Sequence, residues 1–99
     1  MTRTVLPPTS DTVAAAREVI ARYLTPTPTV TLSLRGRPVL TKMETLNPTG
    51  AFKVRGALAA VHASMISDPH GAVVTSSAGN HGLGVAYAAK LLNARATVV

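Results

Sequence analysis

Apolar and polar residues follow two different spacings along the chain, and these spacings predict its helices and strands. Apolar side chains recur every three or four residues in three segments, as is typical of α-helices: residues 11–24, 51–66 and 80–92. Four short runs rich in Val, Thr, Leu or Ala predict strands: residues 29–34, 38–44, 72–75 and 95–99. The predicted order is therefore helix, two strands, helix, strand, helix, strand.

Turn residues separate these elements. Pro26 and Pro28 end the first helix because proline lacks a backbone donor, and Asn47-Pro48-Thr49-Gly50 predicts a turn before the second helix. Alternation of strands with helices favours an α/β fold with a mostly parallel sheet and flanking helices. Segment 80–92 is apolar or small on nearly every side, which predicts tight burial all round.

The composition is that of a packed protein rather than a disordered one. The chain has 99 residues, of which 46% are hydrophobic and 14% are charged, and this suits one small domain or a piece of a larger one. The absence of cysteine excludes disulfides and thiolate metal sites, and no metal site is predicted. No apolar run has the length of a signal peptide core or a membrane span, so we expect a soluble, cytoplasmic protein.

The formal net charge of +6 raises the question of nucleic-acid binding. The basic residues are scattered along the chain, however, and no series of aromatic residues accompanies them for base stacking. We therefore expect no nucleic-acid partner. Part of the positive charge would attract small anions instead.

The loop Ser76–Gly82 follows a predicted strand and leads into the last helix. Strand-to-helix loops of this kind offer free backbone N–H groups to anions. With its serine hydroxyls, two glycines and Asn80-His81, the loop suits a small carboxylate. The alternative interpretation is that Asn80 only caps the helix, that the glycines serve the turn and that His81 is structural.

Lys53 follows the predicted turn, beside the only phenylalanine of the chain. The positive end of a helix dipole disfavours a cation. If the side chain is also partly withdrawn from water, these effects favour a neutral, nucleophilic amine. The alternative is an ordinary surface lysine in the first turn of a helix.

Two blocks of sequence carry a resemblance to a known family. They are Lys42–Ala57, read as KMETLNPTGAFKVRGA, and Ser76–Gly82, read as SSAGNHG. Both resemble the threonine/serine dehydratase family of fold-type II pyridoxal-phosphate enzymes, including dehydratases of the hydroxyectoine-utilisation type. The resemblance implies a tryptophan synthase β-like α/β fold, with an incomplete, mostly parallel sheet in this chain.

The resemblance also implies roles for individual residues. Lys53 would be the catalytic lysine that binds pyridoxal 5′-phosphate covalently, with Phe52 beside the cofactor ring. Asn80 would contact both the cofactor and the substrate. The substrate carboxylate would lie in the loop formed by Ser77, Ala78, Gly79, Asn80 and His81.

Three comparisons with related enzyme families indicate which reaction and which part of the enzyme the resemblance implies. Val54 after the lysine and His81 after the asparagine favour a dehydratase over cysteine and threonine synthases. Ala78 stands where serine racemases carry a serine that acts as the second base, which disfavours racemisation. The family's glycine-rich phosphate loop would lie beyond residue 99, so we expect residues 1–99 to be the N-terminal part of such an enzyme, with the rest of the catalytic region missing.

The implied reaction is β-elimination, in which a hydroxy amino acid such as threonine or serine yields a 2-oxo acid and ammonia. A threonine-like degradation intermediate is another possible substrate. The implied partners are a small amino acid and, for the full-length protein, further copies of the same chain. Three alternatives stay open: β-replacement, a racemase relative and a truncated, non-catalytic remnant. The isolated 99-residue piece is expected to be inactive.

Overall fold

The computed structural model describes residues 4–99, and the first three residues of the amino-terminal stretch lie outside it. Three helices, four strands and one short 3-10 helix occur in the predicted order. In chain order they are α1 (Ser10–Tyr23), β1 (Thr29–Leu34), β2 (Arg37–Lys42), the 3-10 helix Glu44–Leu46, α2 (Lys53–Ser67), β3 (Ala72–Thr75), α3 (Asn80–Leu92) and β4 (Arg95–Val98).

The four strands form two separate pairs. Strands β3 and β4 are parallel, with Ala72 opposite Arg95, and α3 is the crossover between them. Strands β1 and β2 are an antiparallel hairpin. The α/β fold with an incomplete parallel sheet that we expected is thus confirmed, and β3 and β4 are the parallel strands. The hairpin differs because its turn, Arg35-Gly36, has φ values of 50° and 74°, and such two-residue turns reverse the chain directly.

The core lies between α2 and α3. Val54, Leu58 and Val61 of α2 are almost fully buried, and they belong to one cluster with Val85 and Ala88 of α3. These α2 residues recur at the spacing of one helix face, as the sequence predicted. The packing of α2 on α3 fixes the starts of both helices, where the two candidate loops lie.

Three expectations about these elements were wrong in detail. Helix α3 is not buried all round: Gly82, Val85 and Ala88 are buried, whereas Leu83 is 56% exposed on another side of the helix. The second strand ends at Lys42, since Glu44 begins the 3-10 helix. Helix α2 begins at Lys53 rather than at residue 51, so the lysine opens the helix.

Helix α1 is capped at its start and contacts the core only near its end. Thr9 and Thr12 form a reciprocal capping box at its start, and none of its residues is buried. Ile20 and the following Leu24 connect its end to the core of α2 and α3. No helix within residues 4–99 has the length and hydropathy needed to span a membrane.

Candidate active site

Lys53 is the first residue of α2, and a short structured loop places it there. The loop turns at Gly50, which has φ +75° and donates its N–H to the Asn47 carbonyl at 2.8 Å. Phe52 occupies the N-cap position without any side-chain cap hydrogen bond. Lys53 therefore emerges at the positive end of the helix dipole, as the sequence predicted.

The amine of Lys53 is free within the described part of the chain. Its Nζ lies 5.4 Å from the centroid of the Phe52 ring, and this atom forms no ion pair or hydrogen bond with residues 4–99. Withdrawal from water, the condition that would favour a neutral amine, is not met by the described residues: both Lys53 and Phe52 are exposed, the latter by 61%. The described residues supply no cover over this end of α2.

A groove of about 750 Å³ runs between α2, β3 and the start of α3. Its lining brings Lys53 and Phe52 together with His81 from the second loop. Four further polar residues also line it: Glu44, Arg55, Ser64 and Thr75. The structure thus joins three of the residues singled out in the sequence.

The second loop is organised by Ser77. Its Oγ accepts hydrogen bonds from the N–H groups of Gly79 at 3.2 Å and Gly82 at 2.9 Å. The interpretation of Asn80 as the helix cap is therefore wrong: Gly79 occupies the N-cap position and Ser77 provides the hydrogen bond. The physical reason is that Ser77, which precedes the turn, reaches forward to the N–H groups of Gly79 and Gly82, whereas Asn80 is already helical and exposed.

Not all of the predicted loop residues reach the groove. Ser77, Ala78 and Gly79 line a separate, shallow depression beside Leu83 and Val98. Asn80 lines neither concavity. His81 is the residue that connects the loop to the Lys53 groove.

Thr75 is a site residue that the sequence did not reveal. It is the last residue of β3, and its Oγ1 lies 3.0 Å from Nε2 of His81. The contact holds the imidazole at the groove, between the end of a strand and the start of a helix. A threonine at the carboxyl end of a parallel strand, where ligands gather in α/β sheets, was the available signal.

Glu44 is a second feature that the sequence analysis left without a role. Its carboxylate forms a two-point ion pair with Arg55, through Nε at 2.8 Å and Nη2 at 3.1 Å. Oε2 also accepts hydrogen bonds from Thr27 at 3.1 Å and from Asn47 at 2.6 Å. The Arg55 hydrogen bonds hold the pKa of the Glu44 carboxyl below its ordinary value of 4.5, although partial burial opposes the shift.

The chemistry of this site suits the cofactor that the sequence resemblance implied. The Lys53 amine has no ion-pair partner in residues 4–99 and lies beside the Phe52 ring at the edge of the groove. A primary amine in this position can bind an aromatic aldehyde covalently. No group of three or more potential metal ligands occurs in residues 4–99. With the Lys53 amine and the Phe52 ring at one edge of the groove, the residues present fit pyridoxal phosphate at its aldehyde end.

Comparisons with known proteins agree with this description. A sequence model of the family described as "Pyridoxal-phosphate dependent enzyme" matches residues 20–99. The L-threonine ammonia-lyase of Geobacter sulfurreducens is 49% identical over 67 residues, which are 64% of this chain and 16% of that protein. The serine racemase of Homo sapiens is 45% identical over 83 residues, covering 78% of this chain and 24% of that protein.

A solved structure shows the same arrangement. The crystal structure of the T.th. threonine deaminase superposes with a TM-score of 0.76 at 42% identity, covering 93% of this chain and 33% of that one. The chain thus spans a third or less of the length of these relatives. It belongs to the pyridoxal-phosphate-dependent enzyme family, with the fold-type II α/β architecture and the cofactor that its two motifs predicted.

Proposed function

We propose that this chain forms part of an enzyme that eliminates water from a hydroxy amino acid such as threonine or serine, giving a 2-oxo acid and ammonia. The observation that carries the proposal is the free amine of Lys53, placed in one groove with Phe52 and His81. Relatives named L-threonine ammonia-lyase and threonine deaminase support the choice of reaction.

Lys53 has two tasks in this proposal. Pyridoxal phosphate, when bound, supplies an aldehyde that condenses with amines and a ring that accepts the electron pair left at the substrate Cα. Lys53 would hold the cofactor through its amine, and its free amine would take the proton from the substrate Cα. The β-hydroxyl leaves as water. Hydrolysis of the remaining product by another water releases ammonia and the 2-oxo acid, so no water is consumed overall.

Phe52 and the second loop bind and orient the ligands. The ring of Phe52 lies beside the Lys53 amine, where it would face the ring of the bound cofactor. Within residues 4–99 the backbone N–H groups of Asn80 and His81 have no hydrogen-bond acceptor, and the Ser77 hydroxyl hydrogen is still available to a ligand. Ala78 and Gly79 add little bulk, so this loop suits the substrate carboxylate.

We further propose that residues 1–99 are the N-terminal part of a longer catalytic unit. The relatives are three or more times as long as the matched segment. The residues that hold the cofactor phosphate would then lie in the remainder of the protein. In the complete protein they would cover the exposed end of α2 at Lys53.

The test is a product assay on the complete protein loaded with pyridoxal phosphate. L-threonine should yield 2-oxobutanoate, L-serine should yield pyruvate, and each should release one ammonia per 2-oxo acid. If the cofactor is bound and neither amino acid yields a 2-oxo acid, elimination is excluded for these substrates.

Racemisation is the second candidate, because a serine racemase is 45% identical over 83 residues. Residue 78 is an alanine whose methyl group cannot carry a proton to or from the substrate. The same assay, with chiral separation of the remaining serine, distinguishes the two reactions. Formation of D-serine faster than pyruvate would favour the racemase.

A further inference from the structure

The loop before Lys53 is tied to the helix after it by a single carboxylate. Arg55, two residues after the lysine, is bound to Glu44 through both guanidinium contacts. The Asn47 amide is bound to the same Glu44, at 2.6 Å. Its nitrogen also donates to the carbonyl of Ala51 at 3.2 Å, two residues before the lysine.

The orientation of the Asn47 side chain leaves one of its buried polar atoms unpaired. The residue is only 5% exposed, yet its Oδ1 has no hydrogen-bond partner in residues 4–99. An unpaired buried acceptor is unfavourable. Turning the amide over would place its oxygen against both the Glu44 carboxylate and the Ala51 carbonyl, so the two donor contacts fix its orientation.

We infer that Asn47 and Glu44 are positioning residues for Lys53. Together they hold the Ala51 carbonyl and Arg55, and they thereby fix the direction in which the Lys53 side chain extends from α2. The inference rests on the proposed function, in which Lys53 binds the cofactor. Neither residue touches the amine itself. They act on the position from which the amine approaches an aldehyde. Reaction rates are sensitive to small displacements of the reacting groups.

The chain offers a matched control in Thr27. Its hydroxyl binds the same carboxylate oxygen as Asn47, at 3.1 Å, and the residue is similarly buried, at 8% exposure. Thr27 contacts neither flank of Lys53. It is hydrogen-bonded to Lys42 instead, on the hairpin side of the carboxylate. Removal of either side chain weakens the network, but only the loss of Asn47 frees the loop before the lysine.

The experiment measures the covalent reaction of each lysine in the complete protein. Pyridoxal phosphate is added briefly and borohydride is used to trap the product. The amine and the aldehyde condense with loss of one water, and reduction of the C=N bond by hydride and a proton leaves a stable secondary amine. Mass spectrometry of peptides then gives the labelling of Lys53 relative to Lys90, an exposed lysine in the last turn of α3.

Asn47→Ala should lower the Lys53-to-Lys90 labelling ratio by about tenfold, whereas Thr27→Val should leave the ratio close to that of the unsubstituted protein. Equal loss in both variants, or no loss in Asn47→Ala, would overturn the inference. Circular dichroism establishes that each variant is folded. If Asn47→Ala does not fold, Glu44→Gln replaces it, with Glu18→Gln, a change of an exposed acid on α1, as its control.

The same measurement separates this inference from the proposed function. If Lys53 in the unsubstituted protein is labelled no faster than Lys90, the assignment of Lys53 as the cofactor lysine is wrong. If Lys53 is labelled faster and Asn47→Ala leaves that preference unchanged, the proposed function stands and the positioning role is rejected.

Discussion

Gly84 of α3 lies directly against the backbone of Lys53 in α2. A Cβ on Gly84 would be 3.2 Å from both the carbonyl carbon and the carbonyl oxygen of Lys53, and 3.2 Å from Cβ of Ala57. Real side chains rarely make contacts this close. The absence of a side chain at Gly84 therefore allows the two helix starts, and the two candidate loops, to approach each other.

The first prediction follows from this contact. Gly84→Ala should lower the free energy of unfolding by about 1–3 kcal/mol, because the added methyl group forces α3 away from the start of α2. Urea unfolding followed by circular dichroism measures the change. Gly56→Ala is the control, since nothing lies within 4 Å of a Cβ there and alanine is the better helix former. A Gly84→Ala protein as stable as the control would contradict the close packing.

The second prediction concerns Lys53 itself. Lys53→Ala in the complete protein should abolish the visible absorbance of covalently bound cofactor and the link that borohydride can reduce. Stability should hardly change, because the side chain is exposed. Lys90→Ala, which removes another exposed lysine, should keep both signals. A reducible link that persists in Lys53→Ala would show that another lysine holds the cofactor.

The third prediction uses the different roles of two residues in the second loop. Asn80 is exposed and has no structural hydrogen bond in residues 4–99. Asn80→Ala should therefore leave the free energy of unfolding unchanged, while kcat/KM for the amino acid falls by the equivalent of about 1.5–3 kcal/mol.

Ser77→Ala is the companion variant. Ser77 accepts the N–H groups of Gly79 and Gly82, so this change should also cost about 0.5–2 kcal/mol of stability, as loss of a helix cap does. Unchanged kinetics in both variants would leave the loop with a purely structural role.

The fourth prediction is a pH dependence of stability that arises at Glu44. The pKa of this carboxyl is lowered in the folded state, so the unfolded chain binds the proton more readily. The stabilisation is fully present above the ordinary value of 4.5 and is lost as the pH falls through the lower, folded-state pKa. Unfolding free energies between about pH 6 and about pH 3 should show a shallower acid limb for Glu44→Gln than for Glu18→Gln. Identical slopes would mean that the Arg55 pair contributes nothing.

The sequence predicted the elements well because their signals are local. The periodicity of Val54, Leu58 and Val61 is carried by one helix face, and the prolines after α1 act on their own neighbours. The resemblance of the two motifs to a cofactor-binding family was confirmed for the same reason, since each motif is a continuous segment.

The contacts between segments could not be predicted in this way. Folding brings together residues that are separated along the chain, and their pairing has no local signal. Examples are the Glu44–Arg55 pair, the approach of Gly84 to Lys53 and the Thr75–His81 contact. The exposure of a residue depends on how all the elements pack together, so the prediction that α3 is buried on all sides was wrong. The roles of Lys53, Ser77 and Asn80 stay predictions.

The last prediction concerns residues 1–99 as an isolated chain, which should bind pyridoxal phosphate weakly or not at all. Much of the affinity for this cofactor is expected from its phosphate, held by backbone donors at a glycine-rich turn. Within residues 4–99, the glycine-containing segment 79–84 begins in the loop proposed for the substrate carboxylate, and the groove at Lys53 is open. Several large apolar side chains are also exposed, among them Phe52, Val74 and Leu83, so the isolated chain should associate and melt without cooperativity. Titration with pyridoxal phosphate, followed by visible absorbance and thermal melting, measures both properties. Tight, saturable binding with a cooperative melt would contradict the proposal that the chain is part of a longer catalytic unit.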